Sequence, residues 1–350
     1  MNEVLEAYHL KPSAYSLKPI GTGLIHRTYV LANGFGEEAY ILQELNTDVF
    51  TRPDDIAHNL HILERYRLEH HPDYLLPIPL PTVNGEAMAK INGRSYRLTS
   101  YVQGSEAYDR CDTPEQAYEA AKQFGRFTAN FDGLETAMLR YTIPGFHNLA
   151  LRWEQFMQAL SEGNQARRRE ALGLVQYIQE HYRIVEGFEK VRRDPAFRMR
   201  VTHHDTKISN VLFNDAGKGI CVIDLDTVMP GYFISDVGDM MRTYLSPANE
   251  EEKDFAQVDV RPEFYRAIRE GYLEEMGSHL NAVEKDHFFY AGEFLIYMQA
   301  LRFLTDYLND DKYYGRAYED HNFVRAGNQV ALLESYKSLG VALTQAGSQV

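Results

Sequence analysis

Three Asn-Gly dipeptides, at Asn33-Gly34, Asn84-Gly85 and Asn92-Gly93, punctuate the first hundred residues. Asn-Gly supplies the positive φ angles of a two-residue hairpin turn, so it joins neighbouring antiparallel strands when alternating runs flank it. Short runs rich in apolar and β-branched residues do flank these turns: Ser16–Ile20, Thr28–Ala32, Ala39–Leu45, Leu80–Val83, Ala87–Ile91 and Ser95–Val102. All six are expected as strands. A single helix is expected among them over Asp54–Glu69, where Ile56, Leu60, Leu63 and Tyr66 recur at helical spacing behind Pro53.

The pattern then changes. Thr113-Pro114-Glu115-Gln116 has the form of a capping box with proline in the first turn, and starts a helix expected to run to about Phe131. Helical periodicity also marks Leu149–Leu160, Arg167–Val191, Asp236–Leu245, Pro262–Met276, Ala282–Leu308 and His321–Leu339. Strands first and helices later make the fold class α+β. The expected division is a sheet-rich N-terminal lobe over 1–102 and a larger, mainly helical lobe over 103–350.

The chain of 350 residues carries a net charge of −14, which opposes binding to nucleic acid or to an anionic membrane. Its two cysteines lack metal-ligand spacing. No signal-like N-terminus and no long apolar run is seen, so a cytoplasmic protein is expected.

The chemistry concentrates in Val201–Gly231, VTHHDTKISNVLFNDAGKGICVIDLDTVMPG. Asp205 offers a base for an acceptor hydroxyl. Lys207, two residues on, offers a cation on the same side of an extended chain. Asn210 and Asp224 offer hard oxygen donors of the kind Mg²⁺ prefers. The turn 214–219 lets Val211–Phe213 pair with Ile220–Ile223 and bring those two donors together. A base, a cation and two oxygen ligands suit phosphoryl transfer from Mg·ATP to a hydroxyl. Adjacent histidines on a strand point to opposite faces, so a metal shared by His203 and His204 is not expected. His203 is expected as a packed group, and His204 as a candidate to face the substrate. Asp226 is open to three roles: a second Mg²⁺, the acceptor, or a bond to the next turn. Asp236 and Asp239 stand where they can cap a helix. Arg302 lies in an apolar helix and needs a buried partner or a substrate contact.

His203-x-Asp205-x-Lys207-x-x-Asn210, followed by Ile223-Asp224, resembles the catalytic loop and metal-binding strand of the protein-kinase-like fold, as found in the aminoglycoside phosphotransferase and choline kinase superfamily. With YILQELN (40–46), FGRF (124–127), IPGFHN (143–148), DVGDMMR (236–242) and RFLTDYL (302–308), the longer motif is similar to N-acetylhexosamine 1-kinases. The resemblance implies a bilobal fold, ATP and Mg²⁺ as cofactors, and a sugar-like small-molecule acceptor. It implies a phosphate-covering loop at Gly21, Thr22 and Gly23, and a connector at Tyr101 and Val102 that presents backbone groups to adenine. It also gives Asp236 a role in bracing the catalytic loop. One departure stands out: Gln43 occupies the strand position where kinases usually carry a lysine. Choline, amino alcohols and aminoglycosides are alternative acceptors, and a nucleotide-binding pseudokinase is the alternative from outside the enzyme class.

Overall fold

The computed structural model describes residues 1–20, 26–48 and 50–345. Gly21, Thr22 and Gly23 therefore lie outside the described residues. The chain divides into two units: residues 1–107, 133–144 and 211–230 form one, and residues 108–132, 145–210 and 231–350 form the other.

The first unit is built on an antiparallel sheet. Strands β1 (Tyr15–Pro19), β2 (Arg27–Asn33), β3 (Glu38–Glu44), β4 (Ala89–Ile91) and β5 (Arg94–Ser100) take the order β1-β2-β3-β5-β4. Alternation sorts their side chains. Leu31, Leu42, Tyr96 and Leu98 form the core of one face, closed by Val4, Leu5 and Tyr8 from and beside the short helix α1 (Asn2–Glu6). Leu42 pairs with Leu98, so the next pair along, Gln43 and Arg97, belongs to the opposite face. Helix α2 (Pro53–His70) begins with Pro53 and carries Asp54 and Asp55 in its first turn, where the helix dipole favours acid.

Leu80–Val83 is not a strand. Pro79 and Pro81 flank Leu80 and lack the N–H groups a ladder needs. Leu80 alone bonds to the sheet, N–H to Leu98 carbonyl at 2.7 Å. The same unit includes the two-residue strand β6 (Ser105–Glu106) and the hairpin of β8 (Val211–Asn214) and β9 (Gly219–Val222), where Val211 faces Val222 and Leu212 faces Cys221.

The second unit is helical. It contains α3 (Pro114–Asn130), α4 (Leu149–Glu162), α5 (Gln165–Glu170), α6 (Leu172–Glu180), α7 (Arg183–Arg193), α8 (Phe233–Tyr244), α9 (Pro262–Met276), α10 (Ala282–Asp286), α11 (Phe288–Leu308) and α12 (His321–Gln345), with the short strand β7 (Arg200–Thr202) before the loop 203–210. The expected helix over Arg167–Val191 is three helices, interrupted at Ala171 and at His181–Tyr182. A break at His287 likewise separates α10 from α11. Buried α11 is apolar on most sides, and α4, α8 and α12 pack around it. Helices α3 and α9 approach closely because glycine stands at the contact: a Cβ on Gly125 would lie 2.9 Å from the Tyr272 carbonyl oxygen. None of the described helices is long and apolar enough to cross a membrane.

The capping box at the start of α3 forms as the residues require. Thr113 Oγ1 accepts from Gln116 N at 3.2 Å, and Gln116 Oε1 accepts from Thr113 N at 3.2 Å. Thr113→Ala should lower stability by about 0.5–2 kcal/mol. Chemical denaturation would read this as a lower midpoint with an unchanged slope.

Candidate active site

In the helical unit, the loop 203–210 leaves β7 and is held by carboxylates of α8. Asp236 accepts from His203 N at 2.9 Å and from His204 N at 2.7 Å. Asp239 accepts from Thr206 N at 2.8 Å. Neither aspartate caps α8, whose N-cap is Tyr232. They are one turn apart, so both face the loop. Burial pushes the Asp236 carboxyl up to about 6, and burial also raises that of Asp239 although Arg242 opposes the shift. Arg242 forks onto Asp239 Oδ1 at 3.0 and 3.1 Å and reaches Glu250 at 2.8 Å, which makes it an internal ion-pair residue.

This scaffold gathers three of the sequence candidates. Asp205 is partly exposed, and its Oδ1 lies 3.1 Å from Lys207 Nζ. The Asp205 carboxylate raises the Lys207 pKa, so the ammonium stays charged. Asn210 is 7% exposed and donates from Nδ2 to the Asp205 carbonyl at 2.9 Å. That bond fixes the amide and turns its carbonyl oxygen the other way. His203 is fully buried, edge-on to Phe124 with ring centroids 5.1 Å apart. His204 adopts φ 66°, a left-handed conformation costly for a residue with a side chain. Its ring meets that of His147 at 5.1 Å. Gly231 is needed beside it, because a Cβ there would run into Thr202 Oγ1 and His204.

Beyond His147 and its stacked neighbour Phe146 lies Arg302. Its guanidinium sits 5.4 Å from the Phe146 and Tyr314 ring centres and 5.8 Å from that of Tyr313. It is 9% exposed and donates to Gln299 Oε1 at 3.3 Å; no ion pair is found for it among the described residues. Arg302, Arg152, Gln155, Tyr313 and Tyr314 line a cavity of about 360 Å³. Arg152 Nε in its wall, and His147 Nδ1 elsewhere in the unit, are buried without a hydrogen-bond partner among the described residues. Burial, with Arg302 adding repulsion, brings the Arg152 pKa down to about 10. Burial also holds His147 neutral.

The sheet unit carries the other candidates. Asp224 follows β9 with φ 59°, again left-handed. Asp226 is 1% exposed, and both of its oxygens are engaged. Arg97 forks onto them, with one arm at 3.0 Å, and His26 Nε2 adds a bond at 2.6 Å to Oδ2. Burial opposes ionisation of Asp226, but Arg97 and His26 outweigh it and bring its pKa down to about 2. Gln43 accepts from Arg97 Nε at 2.8 Å and donates to Thr28 Oγ1 at 3.3 Å. At the connector, Tyr101 N–H is spent on the Ala39 carbonyl at 2.9 Å, and the Val102 carbonyl accepts from Ser105 Oγ at 2.6 Å.

Arg97 and His26 did not emerge from the sequence. A charged residue inside the alternating run SYRLTS (95–100) was the available signal for Arg97. His26 gave none.

His26, Asp224 and Asp226 place donor atoms within 4.8 Å of one another, as a cation site would. Two of the three are already committed. His26 Nδ1 accepts from Asn46 N at 3.0 Å, so Nε2 carries the proton and donates to Asp226. Arg97 neutralises Asp226. Asp224 in this unit and the Asn210 amide in the helical unit each present an oxygen of the hard kind that Mg²⁺ prefers.

Residues 16–280 match the family model described as "Phosphotransferase enzyme family". Among solved structures, an aminoglycoside phosphotransferase from Alicyclobacillus acidocaldarius is similar at 14% identity and TM-score 0.63, over 99% of this chain and 96% of that one. A microcompartment-associated aminopropanol kinase is similar at 18% identity and TM-score 0.63, over 97% of each chain. A spectinomycin phosphotransferase, solved with ADP and spectinomycin, is similar at 14% identity and TM-score 0.59, again over 97% of each chain. At these identities the structures establish a shared fold. The match spanning residues 16–280, together with the braced loop that carries Asp205, Lys207 and Asn210, places this α+β kinase-like chain in the phosphotransferase enzyme family.

Proposed function

We propose that the protein transfers the γ-phosphate of Mg·ATP to a hydroxyl of a sugar-like acceptor, an N-acetylhexosamine or related hexose, at its anomeric position. Residues 1–102 would serve as the nucleotide-binding lobe, with Gly21–Gly23, Gln43, Tyr101 and Val102 on the nucleotide. Residues 103–350 would carry the catalytic loop and the acceptor site. In this reading the acceptor O–H gives its proton to the Asp205 carboxylate as the oxygen bonds to the γ-phosphorus, and the bond to the bridging oxygen breaks to release ADP. Lys207 offsets charge on the transferring group. Asn210 and Asp224 would hold Mg²⁺, which neutralises charge on the phosphates.

The observation that supports a sugar over a cationic acceptor is the Arg152–Arg302 cavity. A quaternary ammonium needs open aromatic faces. Here a guanidinium already lies over Phe146, Tyr313 and Tyr314, and two arginines would repel a second cation. Guanidinium, amide and phenol groups instead suit hydroxyl and acetyl oxygens. An amino-alcohol acceptor is the second reading, favoured by Asp306 and Glu162 in the same wall. Against it, the Asp306 oxygens are spent on Tyr313 N at 2.7 Å, Tyr314 N at 2.9 Å and Asn322 Nδ2 at 3.1 Å.

A coupled ATP-consumption screen over hexoses, N-acetylhexosamines, choline, amino alcohols and aminoglycosides tests the reading. The expected product is an acid-labile sugar 1-phosphate. Turnover only with amines would overturn the sugar acceptor, and Mg·ATP binding without any turnover would favour the pseudokinase. Arg302→Gln should raise the acceptor KM by about tenfold or more, because donors built for a polar substrate are lost. The KM for ATP should hardly move.

A further inference from the structure

Gln43 brings no charge to β3, yet the structure puts a cation directly opposite it on β5. We propose, on the kinase reading above, that Arg97 is a positioning residue: through Asp226 it fixes the segment that carries Asp224 and so sets the site's competence for Mg²⁺.

The strand register pairs Gln43 with Arg97 on the face away from the Leu42–Leu98 core. The guanidinium is 4% exposed and spends all three nitrogens inside the protein. Nε donates to Gln43 Oε1 at 2.8 Å, and Nη1 and Nη2 fork onto the two oxygens of Asp226. With its guanidinium buried and each nitrogen bonded to Gln43 or Asp226, Arg97 acts through the residues it holds. A fork of this kind fixes direction as well as distance. Lysine, a point charge, would not.

Asp226 is two residues beyond Asp224, in the one-turn helix Leu225–Thr227. A left-handed aspartate such as Asp224 persists only where its surroundings over-determine the backbone. The Arg97 fork and the His26 bond supply that constraint from one side, and Asn46 fixes His26 in turn. The same bonds make Asp226 an internal counter-ion and not a second ligand. Arg97 also feels the negative charge of Asp224 directly, which helps keep the guanidinium protonated despite its burial.

The test compares wild type with Arg97→Gln, Arg97→Lys and the double variant Arg97→Gln/Asp226→Asn. The double variant removes both buried charges together and guards against misfolding of the single one. Circular dichroism and thermal melting establish which variants fold, and calorimetry measures ADP binding with and without Mg²⁺. In folded variants, ADP binding without metal should stay within about twofold of wild type, while Mg·ADP affinity falls by about tenfold or more, the range for groups that orient a metal ligand. The Mg²⁺ concentration for half-maximal turnover should rise in parallel, with acceptor KM unchanged. Arg97→Lys should recover only part of the loss. Wild-type Mg²⁺ dependence in a folded Arg97→Gln or double variant would overturn the proposal and leave the kinase reading standing. If the wild-type protein itself binds no Mg·ADP, both fall together.

Discussion

Asp205→Asn should lower turnover by about 10²–10⁴-fold, the contribution typical of a positioned general base. The substitution is isosteric. It keeps the backbone carbonyl that accepts from Asn210 Nδ2 at 2.9 Å, so the loop and its amide ligand should stay in place. What is lost is the carboxylate that would take the acceptor proton. Lys207, 3.1 Å from Asp205 Oδ1, also loses the partner that raises its pKa, and an amide cannot replace that charge. The expected result is a folded protein with a near-normal melting temperature, a KM for ATP within a few-fold of wild type, and a collapsed kcat. Steady-state kinetics and a melting curve decide it together. Undiminished turnover would remove Asp205 from the mechanism.

The second large effect should come from a residue with no expected contact to substrate. Asp236 is fully buried and accepts two backbone N–H groups, from His203 at 2.9 Å and His204 at 2.7 Å. Asp236→Ala leaves both unsatisfied, at about 1–3 kcal/mol for each buried donor. The loop they belong to already carries His204 at φ 66°. It should relax away from this geometry, and Asp205 and Asn210 should move with it. Turnover should fall by at least about a hundredfold, since small misplacements of reacting groups cost that much. Unlike Asp205→Asn, the variant should also melt at a clearly lower temperature. A normal kcat in a destabilised protein would show that the brace serves stability alone.

The same carboxyl predicts a pH dependence. Its pKa is raised by burial from 3.8 to about 6, so the folded protein binds the proton more tightly than the unfolded chain. The proton-linked stabilisation is fully present below about 3.8 and is lost as pH rises through about 6. Asp226 has the opposite sign. Its pKa is lowered to about 2, so its contribution is present above 3.8 and disappears as pH falls through about 2. Relative to wild type, Asp236→Asn should flatten the stability profile between pH 4 and 6. Denaturant melts at stepped pH would measure it.

Local chemistry was legible in the sequence by itself. Asn92-Gly93 set its hairpin because both residues take the positive φ of the turn, 50° and 74°, whereas the hairpin after Asn33 closes through Gly36 at φ 82°; Thr113 and Gln116 capped α3 by bonds spanning three residues. The order of strands and helices sufficed for the α+β class, and Val201–Gly231 for the kind of chemistry. Local signals misled where a neighbour overrode them: prolines removed Leu80–Val83 from the sheet, and a periodicity continuous over Arg167–Val191 concealed two breaks. The partner of each charge was decided only by tertiary structure. Arg97 is 129 residues from Asp226, and the two meet because strand register and a one-turn helix carry them to the same place. Register is a property of two strands together, and burial is a property of everything packed around a side chain. Neither is written in the run of residues that holds Gln43, Asp226 or Arg302. The aspartates of α8 show the contrast within one helix: the resemblance gave Asp236 to the loop, but only the packed structure showed that Asp239 holds it too and that neither caps the helix.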